Sequence, residues 1–204
     1  MPSRSLALLG LFALLLAPAQ GDEPSPPPAR PAEVALSELR ADPPARLGQT
    51  VHLVLQLGDA VPTFNPYVTR FGPGDFLCFR AWSDEQFLWE RAAFDDPAPY
   101  VFARRGTVAA AILAGGRPYA RFEVVASVRE VFLGEPWIEV LSAQRLAEEV
   151  SEGAILHAVR GLELLREKNG ALAAGQLERA KAGFLPAHAR AELDRLIATC
   201  PVKR

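Results

Sequence analysis

The sequence predicts a mainly β fold with helices at its end: a small five-stranded barrel over residues 33–146, then a tail of two to three helices over residues 147–204. Three observations predict it. Between residues 119 and 143, Phe122, Val124, Ala126 and Val128 alternate with Arg121, Glu123, Ser127 and Arg129, the period of two expected of a strand buried on one side. Phe132-Leu133-Gly134-Glu135-Pro136 then makes a short connector into a second, shorter run, Trp137-Ile138-Glu139-Val140-Leu141, so the pair reads as the closing hairpin of a barrel. Beyond residue 147 the apolar spacing lengthens to that of helices.

Composition bounds the function. Of 204 residues half are hydrophobic and 23% charged, enough to bury a core. With 22 basic against 24 acidic residues the net charge is -2. A protein that binds nucleic acid chiefly by neutralising phosphates carries a basic surplus, and this chain has none. A local basic patch stays compatible with that balance.

The N-terminus predicts an address. Arg4 precedes the apolar run of residues 6–16, and Ala17-Pro18-Ala19 supplies small residues where a signal peptidase would cut. The run is too short to span a bilayer comfortably, so the expectation is a periplasmic or secreted protein from which residues 1–19 are removed. No stable membrane span is expected after cleavage. Residues 20–32 carry Pro24, Pro26, Pro27, Pro28 and Pro31 and read as an extended linker.

The barrel follows in order. Ser37 to Arg40 can make a short helix, stopped by Asp42-Pro43-Pro44. Val51, Leu53, Leu55 and Leu57 share one face of a first strand that Gly58 allows to bend or bulge. A long loop, residues 59–74, leads to a second strand over residues 76–83. Its partner is expected through Phe87-Leu88-Trp89-Glu90, broken by Asp95-Asp96-Pro97-Ala98-Pro99 and resumed at residues 100–103. Residues 107–113 form an Ala-rich helix stopped by Gly115-Gly116. The closing hairpin comes next.

That order, with a helix between the third and fourth strands, resembles the OB fold, a five-stranded Greek-key barrel. The phrases Ala41-Asp42-Pro43, Leu47-Gly48 and Pro136-Trp137-Ile138-Glu139-Val140 are similar to those of exported bacterial OB-type domains. In the tail, Ser151 is an expected N-cap, Ile155, Val159, Leu162 and Leu165 an apolar stripe with Arg166 pointing outward, and Gly170 a stop. A second helix carries Ala173, Leu177 and Ala180, and a third Leu193, Leu196 and Ile197. The spacing of Gly161, Leu164, Ala173, Leu177, Ala180 and Pro186 resembles one tetratricopeptide-like helical hairpin with a capping helix. A lone repeat needs a neighbour to bury its face, so this hairpin is expected to pack on the barrel or on another chain.

Catalytic and metal chemistry is not expected. His52, His157 and His188 fall in no metal-ligand spacing, and the chain has no Gly-x-Ser-x-Gly elbow or phosphate-cradling loop before a helix. No cofactor is implied. Cys78 and Cys200 are expected as free thiols, the alternative being a bridge that would staple the tail to the barrel.

The candidate binding surface lies on the second strand. With Leu77, Phe79 and Ala81 inward, Phe76, Cys78, Arg80 and Trp82 occupy the outer face. The OB resemblance implies that this face works with two loops, which bring Phe64, Asn65, Tyr67 and Arg70, and Phe132 and Trp137. Rings beside arginine suit stacking on bases or sugars, or gripping a peptide. In the alternative, the C-terminal helices cover these rings as a second core. The functional expectation is therefore a non-enzymatic exported protein-interaction or scaffold module with a protein partner. An oligonucleotide- or oligosaccharide-binding domain is the second reading.

Overall fold

Alternation decides which strands close on which. The computed structural model describes residues 31–62 and 70–200, and the expected signal segment and most of the linker lie outside them. β1 (Ala32–Glu33) opens at the last residue assigned to that linker and runs parallel to the start of β2 (Thr50–Ala60). On β2, Val51, Leu53, Leu55 and Leu57 are all buried, as the period of two predicts. On β5 (Arg121–Phe132), Phe122, Val124, Ala126 and Val128 are buried in the same core. The two strands pair antiparallel from Thr50↔Ser127 to Gln56↔Arg121.

The rest of the circuit closes the barrel. β3 (Phe76–Ser83) pairs antiparallel with β2 and with β4 (Ala98–Arg104). β6 (Glu135–Arg145) lies parallel to β4 and antiparallel to β5. Going round, the order is β2-β3-β4-β6-β5 and back to β2, with β1 outside. A parallel β4–β6 neighbour requires a crossover, here made by α3 (Val108–Ala114) and β5. This is a closed five-stranded mixed barrel, compatible with an OB-like fold.

Local chemistry explains the details. Thr107 caps α3, its hydroxyl accepting the Ala110 N–H at 3.2 Å. α3 buries Ala109, Ala110 and Leu113 in the barrel core, and α1 (Leu36–Ala41) adds Leu36 and Leu39. A Cβ on Gly116 would lie 2.6 Å from Leu57 Cδ2 and 2.8 Å from Phe122 Cζ, so only glycine lets the chain leave α3 this close to the core. The β2–β3 register shifts between Leu57 and Ala60, where Gly58 permits the irregularity.

Three expectations on the elements are corrected. Residues 87–90 are not a strand: they belong to a turn-rich connector that leads into α2 (Arg91–Phe94), and the strand that follows β3 and pairs with it is β4, from Phe76↔Arg104 to Ala81↔Ala98. The cause is local. The Ser83 N–H donates to Gln86 Oε1 at 2.7 Å and starts a turn, while Leu88 and Trp89 are drawn under the tail. The closing hairpin turns on Leu133-Gly134 alone, both at positive φ, so β6 begins at Glu135 and is nearly as long as β5. Gly170 does not stop a helix. It is the buried first residue of α5 (Gly170–Lys181).

α4 (Glu152–Arg166) starts where Ser151 Oγ accepts the Ala154 N–H at 3.1 Å. Just past its end stands Lys168, whose φ of 60° lets the N–H groups of Lys168 and Asn169 satisfy the carbonyls of Leu165 and Leu164. α5 and α6 (Ala187–Ala198) complete the tail. Trp82, Leu88 and Trp89 from the barrel side join Ile155, Leu177 and Leu193 in a second core. The Arg121 guanidinium, paired with Asp84 at 2.7 and 2.6 Å, also lies 4.7 Å over the Phe184 ring. The tail is therefore packed on the barrel.

Candidate functional site

The outer face of β3 is divided between two ring clusters. Phe76 and Cys78 pack with Phe102 of β4, Trp137 of β6 and Phe71 from the loop before β3. Phe71 is fully buried and stacks on Phe102 at 4.2 Å between centroids with planes 4° apart. That is the geometry a nucleobase or sugar would need on Phe102, and the chain's own ring fills it. Trp137 stacks on Tyr100 at 4.2 Å, and Phe132 meets its edge at 5.7 Å. Trp137 Nε1 is buried with no hydrogen-bond partner among the described residues.

At the other end of β3, Trp82 is 7% exposed. Its indole N–H donates to the Phe94 carbonyl at 3.1 Å, and its ring stacks between Phe94 and Tyr119 at 5.5 and 5.8 Å. Tyr119 holds this place in a left-handed conformation, φ 67°, with its N–H on the Leu57 carbonyl at 2.8 Å. For an aromatic residue that backbone is strained by about 1–3 kcal/mol. Burial, with Glu152 and Asp59 nearby, pushes the Tyr119 hydroxyl above its ordinary pKa.

The residues singled out from sequence are thus separated. Phe132 and Trp137 belong to one cluster and Trp82 to the other. Arg80 lies exposed between them with no ion pair among the described residues. Arg70 is paired with Glu130 at 2.7 Å. Phe64, Asn65 and Tyr67 lie outside the described residues. Cys78 and Cys200 are both free thiols and sit in different clusters. The Cys78 thiol donates to the Pro99 carbonyl at 3.6 Å, and burial pushes its pKa up to about 12.

The opening left on this side is a groove of about 550 Å³ between α4 and the β3–β4 connector. Ile155, Leu156, Val159 and Leu162 line one wall, and Leu88, Trp89, Phe94 and Tyr119 the other. Leu156 is 60% exposed, a large apolar side chain standing free on a helix. A smaller cleft of about 250 Å³ shares Phe94, Asp95 and Tyr119 with it and reaches Arg80. Sequence reasoning missed this groove because it read Ile155, Val159, Leu162 and Leu165 as a single apolar stripe of a hairpin that packs on the barrel or on another chain. The signal available was Leu156, which widens that stripe beyond what one packed face needs.

No protein-family model matches the chain, and no curated protein matches it. The site is therefore read from its own chemistry. Its walls are apolar and aromatic, and charge stands only at the rim, as Arg91, Asp95, Glu152, Glu163 and Arg166. Such a lining has the apolar, aromatic character of surfaces that bind by contact area. Among the described residues no group of three or more His, Cys, Asp or Glu side chains could hold a metal ion. His52 is paired with Glu123 at 2.7 Å, and His157 Nδ1 lies 2.8 Å from Gln176 Oε1.

Proposed function

We propose that this chain is an exported, non-enzymatic protein-interaction or scaffold module, periplasmic or secreted and of bacterial type, that binds a protein partner through its helical tail. One observation carries the reading. The outer barrel face is occupied by the chain's own rings, whereas the groove along α4 leaves Leu156 and Phe94 open to solvent. The seating of Leu177 against Gly161 supports a tetratricopeptide-like hairpin, an element whose use is binding other chains. The apolar run of residues 6–16 before Ala17-Pro18-Ala19 supports export.

The second reading, an oligonucleotide- or oligosaccharide-binding barrel, draws on exposed Arg80 without an ion pair among the described residues. One experiment separates the two. The chain lacking residues 1–19 is used as bait on cell-envelope extract, and its binding to single-stranded DNA is measured at low and physiological salt. The expected result is a specific protein partner with no salt-sensitive DNA binding. Salt-dependent DNA binding that Arg80→Ala removes would overturn the proposal in favour of the second reading.

A further inference from the structure

We infer that the groove along α4 receives an amphipathic helix of the partner protein, lying antiparallel to α4, with acidic side chains in its first turn and basic ones in its last. The inference rests on the protein-interaction reading above and supplies the chemistry of the partner.

α4 has two apolar faces. One buries Ala154, Ala158 and Gly161, with Leu177 of α5 seated so closely on Gly161 that a Cβ there would lie 2.5 Å from Leu177 Cδ2. The other presents Leu156, Val159 and Leu162 to the groove at helical spacing, with Ile155 buried in the tail's core at its inner edge. A stripe with that spacing on the open side of a packed helix is matched by the stripe of a second helix, whose ridges fit its grooves. The opposite wall supplies ring surface for the same side chains from exposed Phe94 and half-buried Tyr119, over buried Trp89.

Charge sets the direction. Glu152 stands in the first turn of α4 and Arg166 in the last, both exposed and neither in an ion pair among the described residues. At about 1.5 Å per residue they are about 21 Å apart along the axis. Helices favour acids in the first turn and bases in the last. A helix of that kind laid parallel to α4 would set acid against Glu152 and base against Arg166. Laid antiparallel, it sets its bases by Glu152 and its acids by Arg166, and the two helix dipoles oppose favourably. The groove thus rejects one orientation as well as accepting the other.

The test uses a displayed library of helices of about 18 residues, or about five turns. Leu is fixed on one stripe, and Glu or Lys is randomised in the first and last turns. The full chain is the target. The expected enrichment is Glu in the first turn and Lys in the last. The selected peptide should lose at least roughly tenfold in affinity to the Leu156→Asp chain, and Glu152→Arg with Arg166→Glu should invert the charge preference by a similar factor. Circular dichroism checks that each variant is folded. Enrichment without that polarity, failure to enrich any helix, or binding unmoved by Leu156→Asp would overturn the inference. The envelope bait experiment, repeated with Leu156→Asp, keeps the two ideas apart. A partner still captured by the variant while the helices fail to bind sinks the groove and leaves the interaction reading standing. A wild-type chain that captures nothing sinks the reading itself.

Discussion

Cys78 shows what burial does to one ionisable side chain. Its thiol sits under Phe76 and Phe102, away from water, and its pKa rises to about 12 because the thiolate would have to be made in that apolar cluster. The unfolded chain gives up the same proton nearer the ordinary thiol value. Well below pH 9 both states hold the proton and Cys78 adds no pH dependence of its own; from there up to about pH 12 only the unfolded state loses it, so stability falls as pH rises. The expected slope from this group is at most about 1.4 kcal/mol per pH unit. Urea unfolding of wild type and Cys78→Ala at several pH values between 8 and about 11 checks it. The wild type should lose more stability across that range than the variant, and parallel profiles would show that the thiol does not matter.

At the scale of the element, the α4–α5 hairpin depends on one missing side chain. A Cβ on Gly161 would strike Leu177, which is fully buried and has little room to retreat. Gly161→Ala should therefore cost about 1–3 kcal/mol of overpacking, more than the ~1 kcal/mol that alanine gains in helix propensity. Gly175 lies in α5 with nothing within 4 Å of its added Cβ, so Gly175→Ala should stabilise by about 1 kcal/mol. Urea midpoints moving in opposite directions would support both assignments. Two shifts of the same sign would contradict the packing.

The same hairpin shows what was legible beforehand. Ser151 announced the start of α4, and the alternation in β2, β3 and β5 marked inward residues correctly, because capping and period are local properties of the chain. Phe87-Leu88-Trp89-Glu90 misled for a physical reason. An apolar pair has the same signature whether a sheet or a helix covers it, and here α4 and its neighbours do. Lys168 ends α4 in a conformation that glycine would normally supply, so Gly170 drew the expected stop two residues too late. The groove was illegible as a site because Trp89, Tyr119 and Leu156 come from three distant segments that only tertiary packing brings together.

Across the whole molecule, a long-range clamp ties the barrel to the connector before β4. Arg40 of α1 donates to Glu135 Oε1 and Oε2 at 2.7 and 2.9 Å and to Asp96 Oδ1 and Oδ2 at 2.9 and 3.1 Å. One guanidinium fork thereby joins α1, the segment before β4 and the first residue of β6. Arg40→Ala should cost about 1–3 kcal/mol, since Glu135 is left half-buried without its partner. Arg40→Lys should recover less than half of the loss, because an ammonium cannot serve two carboxylates as a planar fork does. Equal stability of wild type and Arg40→Lys would show that charge alone suffices.

The shared second core makes a stronger demand. Trp82 and Trp89 come from the barrel side and are buried against α4, α5 and α6, so the tail cannot leave without exposing two indoles to water. Barrel and tail are then expected to unfold in one cooperative step. Of the three tryptophans in the chain, Trp137 alone lies in the barrel's own ring cluster. Trp82→Phe with Trp89→Phe leaves it as a fluorescence reporter of the barrel, while far-ultraviolet circular dichroism follows the helices of the tail. Both signals should pass through the same urea midpoint, because the phenylalanines still seal the interface. Helicity lost while Trp137 fluorescence is unchanged would mean that the tail is a separate folding unit, held to the barrel too weakly for the groove between them to be a preformed site.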